Sequence, residues 1–124
     1  MGIKKAEKAE YESSLKYLAI AARSSNSTAV KNAVCWQGEI YFDLDEYRKA
    51  MVSYERVLVD NPSSGDEIDV IAYVEMGNIR YLLDDAKQAK EAYKKAIEIS
   101  HDEKFKEKAK LLLKEIKSAK HGGT

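Results

Sequence analysis

The chain has little of what staples, turns or metal sites are made from. A single cysteine, Cys35, among 124 residues excludes an intramolecular disulfide and fits a reducing compartment. One proline and six glycines are too few for a turn-rich all-β fold, and no glycine-rich phosphate loop is present. Two histidines, His101 and His121, have no cysteine or second histidine at metal-ligand spacing, so neither a metal nor any other cofactor is expected. Uninterrupted apolar runs stop well short of the ~18 residues of a membrane span. The N-terminus lacks the basic, apolar and cleavage regions of a signal peptide, and Ala6 replaces the serine or threonine of a myristoylation signal. These absences favour the cytoplasm, with the bacterial envelope as the alternative if a leader has been removed. An excess of one charge is also missing: 21 basic residues balance 21 acidic ones, which argues against a dedicated nucleic-acid or anionic-membrane binder.

What is present is helical periodicity. At this length a chain buries roughly two thirds of its unfolded surface, enough for a core without staples. Tyr11, Leu15, Leu18 and Ala22 step by four, three and four and so share one helix face within 6–23. Further helices are expected over 29–42, 46–59, 65–83 and 86–99. The third stops before Asn61-Pro62, and the fourth opens on a capping box formed by Ser64 and Glu67. A second capping box, Ser100 with Glu103, opens a sixth helix that ends at Gly122-Gly123. Phe105, Ala109, Leu112, Ile116 and Ala119 give that helix one apolar face for docking. Six helical segments and no strand point to an all-α fold. Charge is unevenly spread, with a net −6 over 37–69 and a net +5 over 104–124.

Two blocks of 34 residues, 31–64 and 70–103, repeat the same pattern. The first has Ala33, Gly38, Tyr41, Ala50, Tyr54 and Pro62 at repeat positions 3, 8, 11, 20, 24 and 32. The second has Ala72, Gly77, Ala89, Tyr93 and Ala96 at positions 3, 8, 20, 24 and 27. Small residues at 8 and 20 let two antiparallel helices approach, and the aromatic at 24 fills the space beside them. The pattern resembles the tetratricopeptide repeat (TPR). Departures are Gln37 at position 7, Arg80 at 11, Val57 at 27 and His101 at 32, none of which breaks a helix. The 39 residues from Gly38 to Gly77 exceed the period by five, and the extra residues 65–69 are expected to lengthen the fourth helix. Lengthened first helices of this kind look like those of bacterial envelope-associated relatives.

The resemblance implies a right-handed α-solenoid of antiparallel helix pairs forming one domain over 1–124. Its parts would be a partial repeat or N-terminal helix at 1–26, repeats at 31–64 and 70–103, and a C-terminal capping helix at 101–120. Ser14, Leu18 and Ala21 fit positions 20, 24 and 27 of the partial repeat. The implied function is a non-catalytic adaptor that binds a protein, peptide or helix in a concave groove. The alternative is a structural unit whose terminal helices join copies into homo-oligomers.

In the family the groove is lined from positions 2, 5, 9, 12 and 13. These are Asn32, Cys35, Glu39, Phe42 and Asp43 in the first repeat, and Ile71, Val74, Asn78, Tyr81 and Leu82 in the second. The second set is apolar, and either binds a partner or lies beneath the sixth helix or a second copy. The lysine-and-asparagine clamp that some relatives close on a terminal carboxylate is not reproduced, because Cys35 and Glu39 occupy its places. Cys35 has no histidine close in sequence and reads as a small buried hydrophobe. Asp43, Asp45 and Glu46 read as turn residues, and the Asn26-Ser27-Thr28 sequon carries no weight.

Overall fold

A computed structural model describes residues 5–23, 26–59 and 67–122. Six helices follow one another among the described residues: α1 (Lys5–Ala21), α2 (Ser27–Asp43), α3 (Tyr47–Val57), α4 (Glu67–Leu82), α5 (Ala86–Ile99) and α6 (Glu103–Gly122). There is no strand among the described residues, and the fold is all-α, built from helix pairs of the TPR type. The chain divides into two compact units, Met1–Val57 and Leu58–Thr124. In the first, α2 packs on α3 and α1 on α2; in the second, α4 packs on α5, and α6 packs on α5 and α4.

Both α2 and α4 stop in the same way, 39 residues apart. Asp45 and Asp84 take left-handed backbone conformations (φ 61° and 64°). The Glu46 and Asp45 N–H groups reach back to the Tyr41 and Phe42 carbonyls at 2.8 and 3.0 Å, and Asp85 and Asp84 do the same to Arg80 and Tyr81 at 2.8 and 3.1 Å. This is the Schellman arrangement, which satisfies carbonyls that the helix end would leave orphaned. It turns the chain tightly enough to lay the following helix back on its predecessor. An L-residue in this conformation costs free energy that glycine avoids. Asp84→Gly is therefore expected to raise stability by about 0.5–1 kcal/mol and Asp84→Val to lower it by about 1–2 kcal/mol, read from urea unfolding midpoints.

Helix starts differ from the sequence expectation where a capping side chain was misjudged. α2 begins at Ser27 rather than 29, because the Asn26 side chain accepts the Ala29 N–H at 3.0 Å. α6 begins at Glu103 with Asp102 as its cap: the carboxylate accepts the Lys104 N–H at 2.8 Å. Ser100 lies outside that helix and folds the connection instead, its hydroxyl accepting the Asp102 N–H at 3.1 Å. Asp85 caps α5 through the Gln88 N–H at 3.1 Å. Of the extra residues 65–69 expected to lengthen the fourth helix, 67–69 lie in α4, which is described from Glu67 onward. Ser64 and Gly65 lie outside the described residues.

The glycines sit at helix crossings, and the atoms nearest each of them belong to the aromatic at position 24. A Cβ built on Gly38 would stand 2.9 Å from the Tyr54 ring, and one on Gly77 would stand 2.5 Å from the Tyr93 ring. The repeat's small residue is thus a notch for its own aromatic. Ala50, Tyr54, Ala89 and Tyr93 are all fully buried beside these notches. In the second unit the core continues through Val70, Val74, Ala96 and Ile99 to Ala109 and Ile116 of α6. Phe105 and Leu112 pack against it, so four of the five residues of the apolar stripe read along α6 meet this core; the side chain of Ala119 lies outside the described residues.

Candidate functional site

Each groove position has a definite place on its own helix. On α2, Asn32 and Asp43 are exposed, Glu39 and Phe42 are half-buried, and Cys35 is buried. Cys35 thus contributes volume rather than a contact surface. Phe42 meets Tyr47 edge to face with ring centroids 5.6 Å apart, and the Tyr47 hydroxyl donates to the Asp45 carboxylate at 3.1 Å. The α2–α3 turn is held by these contacts. Burial, and then the neighbouring Asp43, push the Glu39 carboxyl above the usual carboxylate range. Asp43 also accepts the Tyr11 hydroxyl from α1 at 3.2 Å and, with Glu7 and Glu10, raises that phenol's pKa.

On α4 the corresponding five residues separate by burial. Val74 is only 4% exposed and belongs to the core that α6 completes. Ile71 and Asn78 are half-buried. The Asn78 amide bridges two neighbours, donating to Glu75 at 3.2 Å and accepting the Tyr93 hydroxyl at 2.5 Å. That bond provides the polar partner a buried tyrosine needs. Burial first, then the charge of Glu75, push Tyr93 up to about 12. A phenol raised in the folded state stabilises fully below its unfolded pKa of about 10, and the contribution is lost as pH rises towards 12. Tyr81 and Leu82 are exposed at 43% and 55%, followed by exposed Leu83. The apolar set thus divides into a buried residue, Val74, and an exposed apolar end at the last turn of α4.

Chemistry beyond packing has few carriers. Among the described residues no three of His, Cys, Asp and Glu are placed to hold a metal ion, and no helix is long and apolar enough to cross a membrane.

The sequence reading did not mark a cleft in the first unit. Tyr11, Ser14, Tyr17 and Leu18 of α1 and Trp36 and Ile40 of α2 line a hollow of about 530 Å³. Tyr17 and Trp36 are 74% and 59% exposed, well beyond what a packed aromatic shows. The available signal was the repeat register itself, since Ser14 and Leu18 hold the positions that Ala89 and Tyr93 bury in the complete second repeat.

A family model for the tetratricopeptide repeat matches the chain twice, over residues 32–58 and 70–102. These matches coincide with α2–α3 and α4–α5. No curated protein and no solved structure gives a match.

Proposed function

The chain belongs to the tetratricopeptide-repeat family, whose repeats generally mediate protein–protein interactions, and from that premise we propose that it is a non-catalytic adaptor. It binds a peptide or helix of a protein partner, not nucleic acid, on the first-helix faces of its repeats. The observation that carries this reading is the exposed apolar end of α4, where Tyr81 and Leu82 stand free of the core that takes Val74. On α2 the matching positions offer Asn32, Glu39 and Asp43, a polar and acidic set. Hydrophobic anchors of a partner therefore suit the α4 face of the second unit, and polar or basic groups suit the α2 face of the first. Aromatic anchors concentrate binding energy when they are desolvated.

Tyr81→Ala should weaken partner binding roughly thirtyfold while leaving the melting temperature nearly unchanged. Titration calorimetry beside a thermal melt measures both. Unchanged affinity would remove Tyr81 from the binding surface. Exposed Leu111 on α6, together with the open α1–α2 cleft, favours a second reading in which copies of the chain associate through their terminal helices.

A further inference from the structure

The second unit shows what covers a helix pair such as α1–α2. There α4 lies on α5 through Gly77 and Tyr93, and its Val70 and Val74 join Ala109 and Ile116 of α6 in one core. α5 and α6 are thus the second helix of one repeat and the helix that follows it, with a first helix seated on both. α1 and α2 stand in the same relation. In register, Ser14, Leu18 and Trp36 correspond to Ala89, Tyr93 and Ala109. The latter three are fully or almost fully buried, whereas the former three line an open cleft. Among the described residues of the first unit, no helix occupies that seat.

α6 carries the complementary exposed position. If the 34-residue register is continued past Glu103, Leu111 falls at position 8, the place of Gly38 and Gly77. Position 8 is the residue that faces the side chain at position 24 of the partner helix. Among the described residues of the second unit no such helix faces Leu111, which is 61% exposed. The facing side chain on α1 is correspondingly smaller: Leu18 replaces the tyrosine at position 24, with Ser14 in place of the alanine at position 20. Within the chain the crossing pairs glycine with tyrosine; between α6 and α1 it would pair leucine with leucine.

We propose that α6 of a second copy of this chain occupies the α1–α2 cleft, completing a repeat between copies, head to tail. The contact rests on the self-assembly reading above and specifies its site. Charge selects this occupant over an unrelated helix. Seated antiparallel to α1, as α4 is to α5, α6 places its C-terminal half, with exposed Lys114, along the end of the cleft where Glu7, Glu10 and Asp43 surround Tyr11. Asp43, from the acidic stretch that begins at Gln37, then meets the lysine-rich stretch that begins at Lys104. Because the two surfaces differ, the contact is heterologous, and each copy keeps one seat and one free helix for further addition.

The test uses the full chain, with Trp36, its only tryptophan, as reporter. Over a concentration series, sedimentation velocity should show mass growing past the dimer, and Trp36 emission should move to shorter wavelength as the cleft fills. Added salt should oppose both changes. Tyr17→Glu blocks the seat and Leu111→Glu blocks the inserting helix. Both positions are exposed, so the circular dichroism and melting temperature of the monomer should hold. Each variant by itself should associate roughly thirtyfold more weakly. Mixed together they should form a dimer and stop there, with the emission shift confined to the Leu111→Glu copy. A chain that stays monomeric with unchanged emission overturns the proposal and the self-assembly reading together. A closed dimer that survives both substitutions overturns the proposal alone.

Discussion

Gly77→Leu is expected to lower the stability of the second unit by about 3 kcal/mol or more, a fall of about 10 °C in melting temperature. The reason lies in the distances at the α4–α5 crossing. The first carbon of any side chain at residue 77 would stand 2.5, 2.7 and 2.9 Å from three atoms of the Tyr93 ring, closer than carbon atoms pack. Tyr93 cannot swing clear, since it is 1% exposed and its hydroxyl is held by Asn78. Helix propensity acts in the opposite direction: replacing a mid-helix glycine with alanine gains about 1 kcal/mol in an isolated helix. Overpacking a core costs about 1–3 kcal/mol, so even Gly77→Ala should be destabilising, and leucine, with three further carbons, more so. Gly38→Ala should show the same sign with a smaller amplitude, because its contact with Tyr54 is 2.9 Å. Shrinking the ring should return part of the loss, so Gly77→Ala combined with Tyr93→Leu should be less destabilised than the sum of the single changes. A melting temperature that rises in Gly77→Leu would remove the glycine from a crossing and undo the repeat register.

This crossing also shows how far the sequence could be read. Helix existence and repeat register were legible because they depend on local spacing, three and four residues along one face and 34 along the chain. The partner of each glycine was not, because spacing along a chain does not say which ridge of the facing helix enters the notch. The atoms nearest the two glycines are those of the Tyr54 and Tyr93 rings. Capping residues were misread for a related reason. Ser100 and Glu103 satisfy the capping pattern, yet Asp102 is closer to the first turn and offers a charged acceptor, so it takes the Lys104 N–H. The apolar positions of α4 looked alike in sequence; which of them is core is decided by a cluster that draws in Ala109 and Ile116 of α6, distant along the chain. Glu39 illustrates the same point for electrostatics, since its raised pKa comes first from burial and only then from Asp43.

Val74→Asp should unfold the second unit rather than disable a binding surface. Val74 is 4% exposed and shares one core cluster with Val70, Ala89, Tyr93, Ala96 and Ile99 and with Ala109 and Ile116 of α6. A carboxylate placed there has no cation in that cluster to pair with, and burying it unpaired costs several kcal/mol unless the group takes up a proton. The lost valine packing adds about 1–3 kcal/mol, so the total loss should reach about 4 kcal/mol, a large share of a small domain's stability. The pH dependence follows from the sign of the shift. A buried carboxyl has its pKa raised in the folded state, so the protonated form is the one the core tolerates. Stability should therefore be greatest below the unfolded pKa of about 4 and decline as pH rises through the raised folded value. Hydrogen exchange should report the loss in α4, α5 and α6 together, because the eight buried residues of that core draw on all three helices. Tyr81→Ala provides the contrast one helix turn beyond Asn78: 43% exposed, it should change affinity and spare the melt. If Val74→Asp instead kept the wild-type melting temperature and lost only partner binding, Val74 would face solvent and α6 would not be the lid on this part of α4.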